Sequence, residues 1–316
     1  MFKFKRPSQK TLTLMSEVAK GNDTTDYEEC CIEKLKNLTK KEHVKITSSG
    51  NNSIFMAISS VKGDILIPDQ GGWHGFKQIS KFLNKNVITF KTDSGLINTR
   101  YLNDIEFRKN SALLFTSFAG YCAEQDVKSI TKFCNNNSLL SIEDASAGIG
   151  DKYQLGKYSD IILASTGSPK IINAGSGGII STDCEEIFQN NKVPEKLSKT
   201  SKITCAGIYG ELDNVNKKLE DTVNATQLVK KQIPNTIHDN KRGINVIIKN
   251  ENAKEKIWNL KKALPINKSG FITKCPNYNR IKEKAICIEI KNLDYSCLKK
   301  ENLDKIVHEI KNQLLI

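Results

Sequence analysis

From residue 43 to residue 182 short apolar runs alternate with amphipathic stretches, and that alternation admits few folds. "HVKITSS" (43–49), "DILIPD" (64–69), "NVITFKT" (86–92), "SALLFTSF" (111–118), "LLSIEDA" (139–145), "SDIILAST" (159–166) and "GGIIST" (177–182) read as strands. "GNNSIFMAISSV" (50–61), "GFKQISKFL" (75–83) and "EQDVKSITKFCNNN" (124–137) carry apolar residues at helical spacing, as does "YEECCIEKLKNLTK" (27–40) ahead of them. Strands that alternate with helices predict an α/β layered domain with a mostly parallel sheet.

The composition changes after about residue 190. "NNKVPEKLSKTSK" (190–202) is polar and lysine-rich and reads as a crossing loop. "ELDNVNKKLEDTVNATQLVKKQI" (211–233) reads as one long helix, and "INVIIK", "AKEKIWNLKKAL", "AICIEI" and "LKKENLDKIVHEIKNQLL" follow as strand, helix, strand and helix. The expected division is a large domain with an N-terminal helical segment over 1–195 and a small C-terminal α+β domain over 196–316.

Bulk properties exclude some functions. The chain has 316 residues and a formal net charge of +13, but no dense basic block and no interleaving of aromatic with basic residues. The charge therefore reads as lysine spread over solvated faces, and nucleic acid is not the expected partner. Nine cysteines form no C-x-x-C and no zinc pattern, so reduced thiols and no metal are expected. No secretory signal and no run of about 18 apolar residues is present, which predicts a cytoplasmic protein with no membrane partner.

Three stretches at strand ends carry chemistry. "SSGNNS" (48–53) follows a strand and opens a helix, so its N–H groups and hydroxyls can seat an anion; the same residues suit simple helix capping. "IEDAS" (142–146) places two acids directly after an apolar strand, either as a surface turn or as a carboxylate facing a cation. "STGSPKIINAGSGG" (165–178) lodges Lys170 among small residues and glycines, where backbone must come close to something. A desolvated lysine there loses its proton more easily and suits a bond to an aldehyde. An anion seat, a carboxylate and such a lysine are the groups that pyridoxal phosphate (PLP) needs for its phosphate, its ring nitrogen and its aldehyde.

These residues resemble the DegT/DnrJ/EryC1/StrS family of fold type I PLP-dependent aminotransferases. Ser165, Lys170, Gly175, Gly177 and Gly178 keep that family's spacing. "FAGYCAEQDVKSITKFCNNNSLLSIEDASAGIG" (118–150), "KITSSGNNSIFMAI" (45–58), "GDILIPD" (63–69) and "YSDIILAS" (158–165) are similar to its other blocks, so the resemblance covers about residues 20–185. It implies a PLP-transferase-like three-layer domain, a homodimer, and transfer of an amino group from an amino-acid donor to a small-molecule ketone, such as a keto sugar on a nucleotide. It also implies that Lys170 binds the aldehyde and is catalytic, that Asp144 pairs with the ring nitrogen, and that Gly50, Asn51 and Ser165 hold the phosphate. Trp73 in "PDQGGWHGF" (68–76) is placed to stack on the ring, with His74 as the alternative, and Ser146 to face the cofactor.

One element of the family pattern is missing. Its Asn–aromatic–Arg motif, which reaches across the dimer, is not found, and "CAGIYGELDN" (205–214) is the nearest stretch. Two alternatives stay open: elimination or β-replacement on an amino-acid or aminoacyl-tRNA substrate, and a PLP-fold binding protein without catalysis.

Overall fold

The computed structural model describes residues 1–314. Helices α1 (Gln9–Lys20) and α2 (Tyr27–Thr39) lead into β1 (His43–Thr47), α3 (Gly50–Ser60), β2 (Ile65–Pro68), α4 (His74–Phe82), β3 (Val87–Phe90) and β4 (Ala112–Thr116). A small hairpin of β5 (Phe118–Ala119) and β6 (Ala123–Glu124) is followed by α5 (Val127–Asn136), β7 (Leu140–Asp144), β8 (Ile161–Ser165) and β9 (Gly178–Thr182). The chain then forms α6 (Glu186–Gln189), α7 (Lys192–Leu197), α8 (Lys202–Leu212), α9 (Val215–Lys230), β10 (Val246–Lys249), α10 (Ala253–Ala263), β11 (Ile272–Cys275), β12 (Ala285–Ile288) and α11 (Lys300–Leu314).

Seven strands form one sheet in the order β1-β9-β8-β7-β4-β2-β3. β9 runs antiparallel to both its neighbours, and the other strands run one way. Strands such as β4 and β9 are buried at every residue because helices cover both faces, so they read as unbroken apolar runs. Side chains alternate between two cores. Leu66, Leu113, Phe115, Ile162 and Ile179 pack on the side of α2, α5 and α8, whereas Ile65, Ile67, Leu114, Ile161 and Ile180 pack on the side of α3 and α4. The result is the expected three-layer α/β domain.

A second, antiparallel sheet in the order β10-β12-β11 packs with α10 and α11 around Ile248, Leu260, Ile286 and Ile306. The two main cores do not divide at 195/196. Cys205, Ile208, Leu212, Val215 and Leu219 belong to the first core, Ala225 and Val229 to the second, so the division falls within α9. Phe2, at the far end of the chain, also belongs to the second core, and its N–H donates to the Pro265 carbonyl.

Three local readings differ from the structure. The stretch 211–233 is broken at Asp213 and Asn214, where Asp213 accepts from Lys10 Nζ at 2.6 Å and Lys34 Nζ at 2.5 Å. The polar stretch 190–202 is not all loop but holds α7. α1 and β11 have no counterpart in the sequence reading. All nine cysteines are free thiols, seven of them buried. No helix among the described residues is long and apolar enough to cross a membrane.

Candidate active site

β1, β7 and β8 end on one edge of the large sheet, and β9 begins there. Their ends surround a cavity of about 180 Å³ lined by Ser49, Gly50, Asn51, Trp73, Asp144, Ser146, Ser165 and Lys170, together with Ile54, Leu163 and Ala164. Each of the seven residues singled out from the sequence is in that wall. His74 is not; its ring Nδ1 lies 3.2 Å from Asn279 Oδ1, outside the cavity.

Backbone proximity explains the glycines. The neighbour that the glycine cluster must approach is the start of α3. A Cβ on Gly178 would lie 2.5 Å from the carbonyl of Ser49, and one on Gly50 would lie 2.5 Å from Ser165 Cβ. Gly177 has φ +97°, and a Cβ there would meet Thr166 Oγ1 at 2.5 Å. Thr166 closes the loop that carries Lys170: its N–H donates to Gly177 O at 3.0 Å and its hydroxyl to Ser176 O at 2.6 Å. The spacing of Ser165, Lys170 and the glycines is therefore the spacing of a loop folded back against a helix start.

That helix start is a donor set. Ser49 caps α3, its Oγ accepting from Asn52 N–H at 3.2 Å. The first turn of a helix leaves N–H groups with no partner inside the helix, which suits an anion. Gly50 and Asn51 occupy that turn at the cavity wall, with the Ser165 hydroxyl opposite. Asn51 also fixes the indole of Trp73, because its Oδ1 accepts from Trp73 Nε1 at 3.1 Å. Gly75 makes room for that indole, since a Cβ there would lie 2.5 Å from Trp73 Nε1.

The two acids of 143–144 part at the strand end, as adjacent residues of a strand must. Glu143 is fully buried away from the cavity and accepts from Ser117 Oγ, Gly156 N–H and Ser159 Oγ. Burial pushes its carboxyl up to about 7 despite those donors. Asp144 faces the cavity, and its Oδ1 accepts from Ser146 N–H at 3.0 Å and Ser146 Oγ at 2.5 Å. Among the described residues Oδ2 accepts no side-chain or backbone donor. Ser146 thus has both roles of its hydroxyl occupied, donating to Asp144 and accepting from Ser165 N–H at 2.7 Å. It orients the carboxylate and ties β7 to β8.

Lys170 is half-buried, with Nζ 3.3 Å from the Tyr121 hydroxyl and 5.8 Å from the centre of the Trp73 ring. Burial alone would lower its pKa, as expected from the sequence. The structure reverses that expectation: Tyr121 and Asp144 together outweigh burial and hold the amine above the ordinary lysine value. Sequence reasoning did not single out Tyr121, although it lies within the stretch 118–150. Its unusual feature is structural, a left-handed backbone with φ +65°. The stretch 205–214 lies in α8 and the turn after it, packed on α1, where a Cβ on Gly210 would lie 2.8 Å from Thr11 Oγ1. It contributes nothing to the cavity wall.

A phosphate fits the start of α3 with Ser165, a protonated ring nitrogen fits the open Oδ2 of Asp144, and an aldehyde fits Lys170, so the residues present suit PLP. Comparisons with known proteins agree. The model of the DegT/DnrJ/EryC1/StrS aminotransferase family matches residues 9–242, and that of the MJ1341 family C-terminal domain matches residues 216–311. The uncharacterized protein MJ1066 of Methanocaldococcus jannaschii is 30% identical over 100 residues, which are 31% of this chain and 25% of that protein. The match thus spans about a quarter of that relative's length. Among solved structures, Helicobacter pylori PseC, an aminotransferase involved in the biosynthesis of pseudoaminic acid, superposes with a TM-score of 0.76 at 14% identity, over 99% of this chain and 98% of its own. NtdA from Bacillus subtilis, with bound cofactor PMP, gives 0.74 at 15% identity over 98% of this chain and 82% of its own. A DegT DnrJ EryC1 StrS aminotransferase from Brucella abortus gives 0.72 at 14% identity over 96% and 95%. At such identities the likeness is one of fold.

Proposed function

Because the chain belongs to the DegT/DnrJ/EryC1/StrS aminotransferase family, we propose that it is a PLP-dependent aminotransferase that moves an amino group from an amino acid to a ketone on a sugar. The observation that carries this reading is the meeting of Lys170, Asp144, Trp73 and the start of α3 around one cavity. The family supports the acceptor class, as does the involvement of the Helicobacter pylori aminotransferase in pseudoaminic acid biosynthesis.

When bound, PLP supplies an electron sink for the carbon that loses a proton. Gly50, Asn51 and Ser165 would hold its phosphate. Asp144 would hold the ring nitrogen through its open Oδ2, while Ser146 holds Oδ1. Trp73, whose indole Asn51 fixes, would wall the cofactor's ring. Lys170 would hold the aldehyde. With its Nζ free, Lys170 would be the group placed to accept a proton from the substrate and give it back. The amine is the only titratable side chain besides Asp144 in the cavity wall among the described residues, so it is the base available.

Amino transfer stores nitrogen on the cofactor between two half-reactions, and this gives a direct test. Protein loaded with PLP and given glutamate, glutamine or aspartate alone is expected to lose its absorbance above roughly 400 nm, gain a band near roughly 330 nm, and release one keto acid. Release of ammonia with the long-wavelength band retained would replace this reading with elimination.

A further inference from the structure

The small domain approaches Lys170 by way of the ring of Tyr121. Tyr121 lies in the turn between β5 and β6, is almost fully buried, and does not line the cavity. Its hydroxyl is 3.3 Å from Lys170 Nζ. Two cations of the small domain lie against its ring. The Arg280 guanidinium carbon is 4.6 Å from the ring centre and Lys291 Nζ is 5.0 Å from it.

Both cations are held in place. Arg280 sits on the loop between β11 and β12, and its Nε and Nη2 donate to the two oxygens of buried Glu289 at 2.9 Å each. Lys291 Nζ lies 3.5 Å from Glu289 and donates to Asn292 Oδ1 at 2.6 Å. The loop presses on the turn of Tyr121: a Cβ on Gly120 would lie 2.7 Å from the Arg280 carbonyl. Two positive charges therefore share a single carboxylate and the face of one phenol.

We propose that Tyr121 is a positioning residue for Lys170, its hydroxyl fixing the free amine while Arg280 and Lys291, gathered on its ring, set how readily that amine gives up a proton. The proposal rests on the aminotransferase reading, in which Lys170 acts as a free amine. The groups that face Lys170 are Tyr121 from the β5–β6 turn, Asp144 from the end of β7, Arg280 from the β11–β12 loop and Lys291 from the turn after β12. Burial disfavours the ammonium, Tyr121 and Asp144 favour it, and Arg280 opposes it. Lys291 and Lys170 repel each other; burial, with Arg280 and Lys170 and against the pull of Glu289, brings Lys291 down to about 8.

The test is the rate at which cofactor-free protein captures PLP, followed by absorbance across pH. Lys170 must be neutral to add to the aldehyde carbon; the carbon–nitrogen bond forms and the carbonyl oxygen leaves as water. Below the pKa of the amine, each unit of downward shift speeds capture about tenfold. Tyr121→Phe removes a group that favours the ammonium, so capture at pH 8 is expected to quicken roughly three- to tenfold. Lys291→Met removes a group that disfavours it, so capture should slow by a similar factor and recover at higher pH. Damage to the fold would slow both variants at every pH. Should Tyr121→Phe fail to fold, Lys291→Met decides alone. Rates that match the parent protein, or that fall in both variants without a shift along the pH axis, overturn the proposal. Parent protein that captures no PLP at any pH overturns the aminotransferase reading instead.

Discussion

Lys170→Ala is expected to keep its fold and lose amino transfer by at least ~10²–10⁴-fold, the range for one positioned proton-transfer group. The fold should survive because Lys170 belongs to none of the hydrophobic cores and sits on a loop closed by Thr166, not by its own side chain. Its tie to the protein is a long hydrogen bond to the Tyr121 hydroxyl, 3.3 Å, which water can replace. On the proposed mechanism function should fail twice, since it assigns to one amine both the bond to the aldehyde and the movement of the proton. The start of α3 is untouched, so the variant should still take up PLP without a covalent bond. Equilibrium dialysis and steady-state kinetics on the folded variant measure both. A variant that turns over within tenfold of the parent would remove Lys170 from its role.

Asp144→Asn is expected to lower turnover by roughly 10²–10³-fold, the effect of removing one preorganised electrostatic partner. Asparagine preserves the shape and still offers an oxygen to Ser146 N–H and Ser146 Oγ, so the tie through Ser146 to Ser165 persists. What it lacks is the charge that Oδ2 presents to the cavity. Glu143 cannot compensate. It points away from the cavity, its oxygens are engaged by Ser117, Gly156 and Ser159, and burial has already pushed its carboxyl up to about 7. Thermal midpoints close to those of the parent with near-parental kcat would show that another group neutralises the ring nitrogen.

Much of the fold was legible because a parallel sheet covered on both faces leaves unbroken apolar runs, and those runs marked the main strands from β1 to β9. Helices were harder. α8 is buried on nearly all sides, at Cys205, Ala206, Ile208 and Leu212 among others, so it shows no apolar period. α1 shows its ends, with Ser8 as the N-cap and Gly21 in the left-handed region, and those were the signals available. β11 is four residues long and is a strand because it pairs with β12. The cavity wall was legible for a related reason. Ser165, Lys170, Gly175, Gly177 and Gly178 are fixed by one local loop, so their spacing survives in sequence. Tyr121, Arg280 and Lys291 meet through a contact between domains, and no local spacing records that.

All of the proposed chemistry depends on Lys170, and no other lysine, carrying the cofactor. Borohydride reduction of PLP-loaded protein, followed by digestion and mass spectrometry, reads out which lysine does so. One modified peptide is expected, the one that contains Lys170, with the label lost in Lys170→Ala. Label on a different lysine, such as Lys291 or Lys5, with Lys170 unmodified, would contradict that assignment.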